Sequence, residues 1–137
     1  MKKIIVIEDD PMIGKILLLK LESQLKEKGV EAQVLRAKNG EEGIVLICRE
    51  NPDVVVMDLM MPVKSGFDML AELKTKGCLH DMHIVALSNL SETADIERAT
   101  NLGVHEYFVK NNTSINKITE HIVGQLENSR SAVGAGL

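Results

Sequence analysis

Runs of apolar residues alternate along the chain with stretches of helical periodicity. The most continuous run, Val54 to Met57, is β-branched at its first three positions, which predicts a strand buried on both faces. It ends at the carboxylate of Asp58, and Pro62 then breaks the pattern. Asp58 is therefore predicted to lie at the carboxyl end of a central strand. In parallel α/β sheets, ligands bind at that edge.

The remaining pattern predicts four more strands and five helices in alternation. Besides the run that ends at Asp58, strands are predicted at 2–7, 32–37, 83–87 and 105–109, and helices at 12–28, 40–50, 65–76, 91–101 and 114–127. Such alternation favours an α/β fold with a parallel, doubly wound sheet and right-handed crossovers.

Length and local composition predict one domain with a short tail. A chain of 137 residues fits a single domain, at 1–128, and the small, polar and glycine-containing stretch 129–137 is expected to be flexible.

The helix at 91–101 has few apolar anchors, which predicts mobility. In the first helix, Leu19 lies opposite the apolar stripe and is predicted to be exposed, where it would suit a partner helix.

Composition and charge exclude several classes of function. A net charge of -4 gives no electrostatic attraction for a phosphate backbone, and 2% aromatic residues with no Trp offer no stacking platform, so direct nucleic acid binding is not expected. No membrane span and no signal peptide are apparent, which favours a cytoplasmic protein. Cys48 and Cys78 are accordingly expected to be reduced thiols.

Polar side chains follow several of the predicted strands at the point where each strand ends. The carboxyl ends carry Glu8, Asp9, Asp58, Ser88 and Lys110. Because parallel strands share one carboxyl edge, we expect these five side chains to form one site. Three carboxylates with a backbone carbonyl suit Mg²⁺, while a hydroxyl and an ammonium group suit the oxygens of a phosphoryl group.

The next acidic residue has a simpler interpretation. Asp10 precedes Pro11 at the start of the first helix. An acidic N-cap followed by proline at the first helical position is a typical helix start, so a structural role is favoured for Asp10.

In their order and spacing, these residues resemble a response regulator receiver domain of two-component signalling, of the single-receiver, chemotaxis type. The resemblance covers about residues 2–127, with Glu8-Asp9, Asp58-Leu59-Met60-Met61-Pro62, Ser88 and Lys110 at the expected strand ends. It implies a flavodoxin-like (βα)5 fold of three α/β/α layers, with strand order 2-1-3-4-5. It also implies a signalling protein that catalyses only its own phosphorylation and dephosphorylation.

The resemblance further implies a role for each site residue. Asp58 would accept a phosphoryl group from a sensor histidine kinase or phosphotransfer protein. Mg²⁺ would be bound by Asp9, Asp58 and the Met60 backbone carbonyl, with Glu8 acting mainly through water. Ser88 and Lys110 would contact phosphoryl oxygens. Tyr107 occupies the switch position, and this role is favoured over the alternative of a partly buried strand aromatic. The face of helix four, strand five and helix five would bind a target or form a homodimer.

Two departures from the family pattern stand out. Asn111 replaces the proline that usually follows the lysine in a cis peptide, and a non-proline cis bond costs about 3 kcal/mol, so a trans Lys110-Asn111 peptide is predicted. Met60 and Leu90, two residues past Asp58 and Ser88, are apolar where the family tunes attack of water on the phosphoryl group. We hypothesise that they favour a long-lived phosphorylated form.

Other functions fit the sequence less well. A flavin site lacks a phosphate-binding loop after strand one, a haloacid-dehalogenase-type phosphatase needs a second acid where Met60 stands, and a P-loop motif is missing. The alternative is a non-phosphorylated pseudo-receiver that acts as a protein-interaction module. With no sequence for an output domain after the last helix, the chain is expected to be a stand-alone receiver or an excised domain of a longer regulator.

Overall fold

The chain forms five parallel strands that alternate with five α-helices. A computed structural model describes residues 1–79 and 81–135, with side chains described as far as residue 127. The strands are β1 (Lys2–Ile7), β2 (Ala32–Ala37), β3 (Val54–Asp58), β4 (His83–Ser88) and β5 (Glu106–Val109). The helices are α1 (Pro11–Glu27), α2 (Gly40–Glu50), α3 (Gly66–Lys76), α4 (Thr93–Asn101) and α5 (Ile115–Ala135), and a 3₁₀ turn, Lys110–Asn112, precedes α5.

The strands pair in the order β2-β1-β3-β4-β5, and every pairing is parallel. All five residues of β3 are buried, as expected for a central strand with helices on both of its faces. The predicted fold class, a flavodoxin-like α/β sheet with strand order 2-1-3-4-5, is therefore confirmed. Its consequence for function is that the carboxyl ends of β1, β3, β4 and β5 lie along one edge.

The core consists of two apolar layers, one on each side of the sheet. Residues of alternating position along each strand face opposite sides, so Val54 and Val56 join the α1 and α5 side while Val55 and Met57 join the other. On the first side Leu17 and Leu21 of α1 pack in the same cluster as Ile118, Ile122 and Val123 of α5. The other side is covered by residues of α2, α3 and α4.

Side-chain caps explain where three of the helices begin. Asp10 accepts hydrogen bonds from the amides of Met12 (2.9 Å) and Ile13 (3.2 Å), so its predicted role as an N-cap is confirmed. Asn39 caps α2, and Ser65 caps α3 by accepting a hydrogen bond from the Asp68 amide. These caps satisfy backbone donors that the first turn of a helix leaves unpaired.

Helix α4 and the end of the chain differ from the simple pattern. Helix α4 begins at Thr93, two residues later than predicted, because the backbone of Glu92 is extended (φ -70°, ψ 142°); Ala99 is the one α4 residue that is buried. Helix α5 extends to Ala135, whereas 136–137 and the side chains beyond residue 127 lie outside the described part. The flexible tail at 129–137 stays a prediction. Leu19 is 55% exposed, as predicted.

The two cysteines correct one prediction. Cys48 and Cys78 form a disulfide with a Cα to Cα distance of 5.3 Å, so the expectation of two reduced thiols is wrong for this structure. Cys48 lies in the last turn of α2, and Cys78 follows Gly77, which ends α3 in the left-handed conformation. Packing of α2 beside α3 brings these positions together, which no local pattern of the sequence indicates.

None of the described helices is long and apolar enough to cross a lipid bilayer.

Candidate functional site

Asp58 lies at the carboxyl end of β3 and is 6% exposed. Its Oδ1 accepts a hydrogen bond from the Met60 amide (2.9 Å), and its Oδ2 accepts one from Lys110 Nζ (2.8 Å). The chain then turns tightly into α3, where a Cβ on Gly66 would lie 2.6 Å from the Asp58 carbonyl oxygen. Glycine at this close approach therefore allows the turn that follows Asp58.

Lys110, which follows β5, joins two buried carboxylates. Its Nζ donates to Asp58 Oδ2 and also to Glu8 Oε1 at 2.7 Å. Burial by itself lowers the pKa of Lys110, but the hydrogen bonds to Asp58 and Glu8 outweigh burial, and the net pKa is raised above its ordinary value. Lys110 is therefore a fixed positive charge at this edge at every physiological pH.

Glu8 is the most deeply buried acid of the site, with 2% of its surface exposed. Burial raises the pKa of Glu8 to about 7, the hydrogen bond from Lys110 opposes that rise, and the nearby charge of Asp58 adds to it. The remaining oxygen, Oε2, is 3.4 Å from the Asp10 amide. A cation bound next to a buried carboxylate stabilises its charged form and lowers its raised pKa.

Glu8, Asp9 and Asp58 form a cluster that suits a divalent cation. One carboxylate oxygen from each lies within 4.8 Å of the other two. The donor set consists of oxygens alone, which is the ligand chemistry that Mg²⁺ prefers, and two of the three acids are buried while Asp9 is open to solvent. The residues present therefore fit Mg²⁺. Participation of the Met60 carbonyl stays a prediction.

Ser88 ends β4, but it is completely buried and makes its contact elsewhere. Its Oγ accepts a hydrogen bond from the Leu90 amide (3.2 Å), and among the described residues no hydrogen bond joins it to Asp58 or Lys110. Tyr107 is partly buried in β5 and donates its hydroxyl to the Leu90 carbonyl at 2.6 Å. Leu90 is thus held at its amide by Ser88 and at its carbonyl by Tyr107.

The loop after β5 agrees with the prediction made for its peptide bond. The Lys110-Asn111 peptide is trans, and residues 110–112 form a 3₁₀ turn. Lys110 reaches the acids from this turn without a cis bond. The side chain of Met60 is 54% exposed, and that of Leu90 is partly buried against the core layer on the α2, α3 and α4 side, so their role in the lifetime of a phosphoryl group stays a prediction.

Arg36, at the end of β2, is a residue that the sequence patterns did not single out. Its Nη2 donates to the carbonyl of Asp10 at 3.3 Å and contacts the carbonyl of Glu8 at 3.5 Å. Arg36 therefore contacts the backbone at both ends of the acidic segment 8–10. The guanidinium occupies the space beside Gly14, where a Cβ would approach it to 2.5 Å. The available signal was a glycine inside the first helix, which indicates close packing by another group.

Known proteins share this sequence pattern. The family model described as the response regulator receiver domain matches residues 4–123. A probable transcriptional regulator, ycf27, from Porphyridium aerugineum is 37% identical over 109 residues, which are 80% of this chain and 42% of that protein. The chain thus spans less than half the length of this relative.

Solved structures share the fold of this chain. The N-terminal domain of an uncharacterized protein from Wolinella succinogenes is 28% identical with a TM-score of 0.79, and the match covers 100% of both chains. The chemotaxis protein CheY4 of Vibrio cholerae is 19% identical with a TM-score of 0.75 over 94% of this chain and 98% of that one, which supports the fold alone. Because the family model covers nearly the whole sheet and every strand end described above, the chain belongs to the response regulator receiver domain family.

Proposed function

We propose that this chain is a phosphoacceptor that takes a phosphoryl group onto Asp58 and thereby controls a partner protein. One observation carries the proposal: Lys110 converges on the buried carboxylates of Asp58 and Glu8 beside the open carboxylate of Asp9. A structural salt bridge would need one acid and one base. Here Lys110 contacts two acids and a third lies within 4.8 Å of both, so the cluster carries surplus negative charge, which favours a site that binds a cation and transfers a charged group.

In this proposal the Asp58 carboxylate is the nucleophile. One of its oxygens forms the new bond to phosphorus, and the bond from phosphorus to the imidazole nitrogen of a phosphohistidine breaks, so the donor imidazole leaves with its electron pair. The Met60 amide holds Oδ1 and thus fixes the orientation of the carboxylate. Lys110 is already charged and within hydrogen-bond distance, and it would move from Asp58 to an oxygen of the arriving phosphoryl group.

Mg²⁺ would be held by Asp9 and Asp58, with Glu8 acting mainly through water and the Met60 carbonyl completing the protein ligands. When bound, it supplies positive charge that stabilises the transferring phosphoryl group. The buried acids are the support for this assignment, because Glu8 and Asp58 lie together with a single lysine between them.

The signal would leave the site through Ser88 and Tyr107. Turning the Ser88 hydroxyl toward a phosphoryl oxygen breaks its hydrogen bond with the Leu90 amide, and Tyr107 holds the carbonyl of that same residue. Phosphorylation would therefore release the Leu90 segment and the Tyr107 ring together. This coupling would alter the α4-β5-α5 face, and we propose that face as the surface for a target, an output domain or a homodimer.

The partners in this proposal are a sensor histidine kinase or phosphotransfer protein upstream and a target protein or output domain downstream. We place the reaction in the cytoplasm and propose no direct binding of nucleic acid or membrane by this chain. The named relative is a probable transcriptional regulator. An output domain that binds DNA is accordingly one form that a downstream partner could take.

Intact mass spectrometry tests the proposal. The protein is incubated with acetyl phosphate, with and without Mg²⁺, beside Asp58→Asn and a Lys110→Met variant. The proposal predicts a gain of one phosphoryl group that requires Mg²⁺, disappears in Asp58→Asn and is strongly reduced in Lys110→Met. A matched substitution on the surface, Asp68→Asn, lies outside the site and is expected to leave the gain unchanged.

Binding of Mg²⁺ is measured separately by calorimetry, so that a receiver selective for its kinase is distinguished from an inactive one. Mg²⁺ binding that is lost in Asp9→Asn supports the site even where acetyl phosphate is a poor donor. Absence of both Mg²⁺ binding and phosphoryl gain would contradict the proposal and favour the non-phosphorylated interaction module.

A further inference from the structure

Strand β2 holds the acidic segment 8–10, which follows β1, by its backbone. Glu8 continues the pairing of β1 with β2, since its amide donates to a β2 carbonyl at 3.2 Å. Arg36 adds its side chain, with Nη2 3.3 Å from the Asp10 carbonyl oxygen and 3.5 Å from that of Glu8. Asp9 lies between these two carbonyls. Its backbone is therefore anchored on both sides, while its carboxylate is open to solvent.

The first turn of α1 completes this arrangement. The Asp10 carbonyl also accepts a hydrogen bond from the Gly14 amide at 2.9 Å. A Cβ on Gly14 would lie 2.5 Å from both Nε and Nη2 of Arg36, so the guanidinium occupies the space that a larger residue would fill. Glycine at this position therefore allows one guanidinium to join β2, the acidic segment 8–10 and α1.

The position of Arg36 carries two local costs. Among the described residues its buried Nε–H has no hydrogen-bond partner, and an unpaired buried donor destabilises a fold. The second cost is Gly14 itself, because glycine inside a helix is less favourable than alanine. Local rules broken at one point are typical of functional sites. The two costs therefore indicate that the contact serves the neighbouring acids and not the stability of Arg36.

We propose that Arg36 is a positioning residue for the cation site of Glu8, Asp9 and Asp58, an inference that rests on the proposed Mg²⁺-dependent phosphorylation. By holding the carbonyls on either side of Asp9, the guanidinium fixes the direction of the Cα–Cβ bond of that residue. A ligand that is oriented before the ion arrives loses less freedom on binding. Contacts outside the ligand shell orient metal ligands in this way.

The charge of Arg36 opposes its positioning effect. A guanidinium near the acids repels an arriving cation, so removal of the charge alone would tighten Mg²⁺ binding. Arg36 is half-buried, and salt screens the part of this repulsion that passes through solvent. Gly14→Ala separates the two effects, because it keeps the charge and displaces the guanidinium. The displaced atoms are the far end of a flexible side chain, which can move without disturbing the helix.

Calorimetry of Mg²⁺ binding to the unphosphorylated full chain tests the inference. Gly14→Ala should bind Mg²⁺ about 10-fold more weakly than the wild type. Its urea midpoint should be unchanged or higher, because alanine favours the helix. Arg36→Met should also weaken binding, by less, since the lost charge offsets part of the effect. Adding Gly14→Ala to Arg36→Met should cause no further loss, because the guanidinium is already absent.

Two matched controls should bind Mg²⁺ like the wild type. Arg49→Met removes an exposed arginine of α2, and Gly124→Ala adds a Cβ in α5 where no other atom lies within 4 Å. The carbonyl carbon chemical shifts of Glu8 and Asp10 report the contact without any metal. These shifts should change in Gly14→Ala and Arg36→Met and stay as in the wild type in both controls.

The phosphorylation rate with acetyl phosphate supplies a further readout. In Gly14→Ala the Mg²⁺ concentration that gives half the maximal rate should rise about 10-fold, while the maximal rate stays near that of the wild type. Equal or tighter Mg²⁺ binding in Gly14→Ala or Arg36→Met, beside a wild type that binds, would overturn this inference alone. A wild type that neither binds Mg²⁺ nor gains a phosphoryl group would overturn it together with the proposed function.

Discussion

Replacing Lys110 by Met is expected to destabilise the fold by about 3 kcal/mol in the absence of Mg²⁺. Methionine keeps the apolar stem of the side chain and removes the ammonium group that Glu8 and Asp58 share at 2.7 and 2.8 Å. Both acids are buried, with 2% and 6% of their surfaces exposed. The variant therefore leaves two carboxylates in the site without their common positive partner.

The magnitude follows from the hydrogen bonds that the substitution removes and from the burial of their two acceptors. A hydrogen bond to a charged group contributes about 1.5 to 3 kcal/mol, and removing one partner of a buried ion pair typically costs about 3 to 5 kcal/mol. The substitution removes two such bonds, but Glu8 already has a pKa raised to about 7 and can bind a proton when its partner is absent. This relief places the expected destabilisation at about 3 kcal/mol, the lower end of that range.

The assay is urea unfolding at neutral pH in chelator, followed by far-UV circular dichroism. Lys64→Met is the matched control, because Lys64 also contacts two carboxylates, Glu72 and Glu41, but their side chains are 37% and 72% exposed, far more than those of Asp58 and Glu8. Exposed pairs contribute little to stability, so this variant should unfold close to the wild type. Adding Asp58→Asn to Lys110→Met should recover most of the stability, since one of the two unpaired charges is removed.

The reasoning is refuted if Lys110→Met and Lys64→Met unfold at the same denaturant concentration. It is also refuted if Asp58→Asn further destabilises the Lys110→Met background. Either result would mean that the carboxylates at this edge do not depend on Lys110 for their burial.

Three further predictions concern the switch, the disulfide and the lifetime of the phosphorylated form. Burial raises the pKa of Tyr107, which is the one tyrosine in a chain without Trp. Its ionisation midpoint, followed by ultraviolet absorption, should therefore lie above 10 in the folded protein and fall toward 10 in urea. The folding stability linked to Tyr107 is present below pH 10 and is lost as pH rises through the raised pKa. Reduction, or Cys48→Ser, should lower the free energy of unfolding by about 3 kcal/mol because the bridge between Cys48 and Cys78 closes a loop with a sequence separation of 30. Adding reductant to the Cys48→Ser variant should have no further effect on its stability. Polar substitution at both Met60 and Leu90 should speed loss of the phosphoryl group by roughly tenfold, or about 1.4 kcal/mol of barrier, in a mass-spectrometric decay; an unchanged lifetime would refute their proposed role.

The sequence allowed much of the fold to be predicted because its central strands are unambiguous. The run from Val54 to Met57 is too short for most helices and ends at turn residues, so its assignment to a buried strand needed no tertiary information. The start of α1 was equally local, since Asp10 and Pro11 together define a helix N-terminus. Topology then placed Glu8, Asp58 and Lys110 at one edge, and the structure joins them by hydrogen bonds.

Features that depend on packing between distant segments were not predictable in this way. The Cys48 to Cys78 bridge depends on how α2 lies beside α3, and the contacts of Glu106 with His83 and His121 depend on strand register and on the position of α5. Each of these residues has an ordinary local environment in the sequence. Their proximity therefore emerges only in three dimensions.

Ser88 shows a different limit. The sequence predicted correctly that it ends β4, but the structure turns its hydroxyl toward the Leu90 amide and away from hydrogen bonding with Asp58 or Lys110. The orientation of a hydroxyl is decided by the nearest available partner, which strand position alone does not specify. Similarly, α4 begins only at Thr93 because the Glu92 backbone is extended, although the local pattern allowed an earlier start.

The most direct test of the central claim is to locate the phosphoryl group on the chain. After incubation with acetyl phosphate and Mg²⁺, borohydride reduces an acyl phosphate of aspartate to homoserine, and peptide mass spectrometry identifies the modified position. The account predicts homoserine at residue 58 in the wild type, with Asp9 and Glu8 unmodified. Homoserine at another acid, or a phosphorylated protein with Asp58 intact, would contradict it.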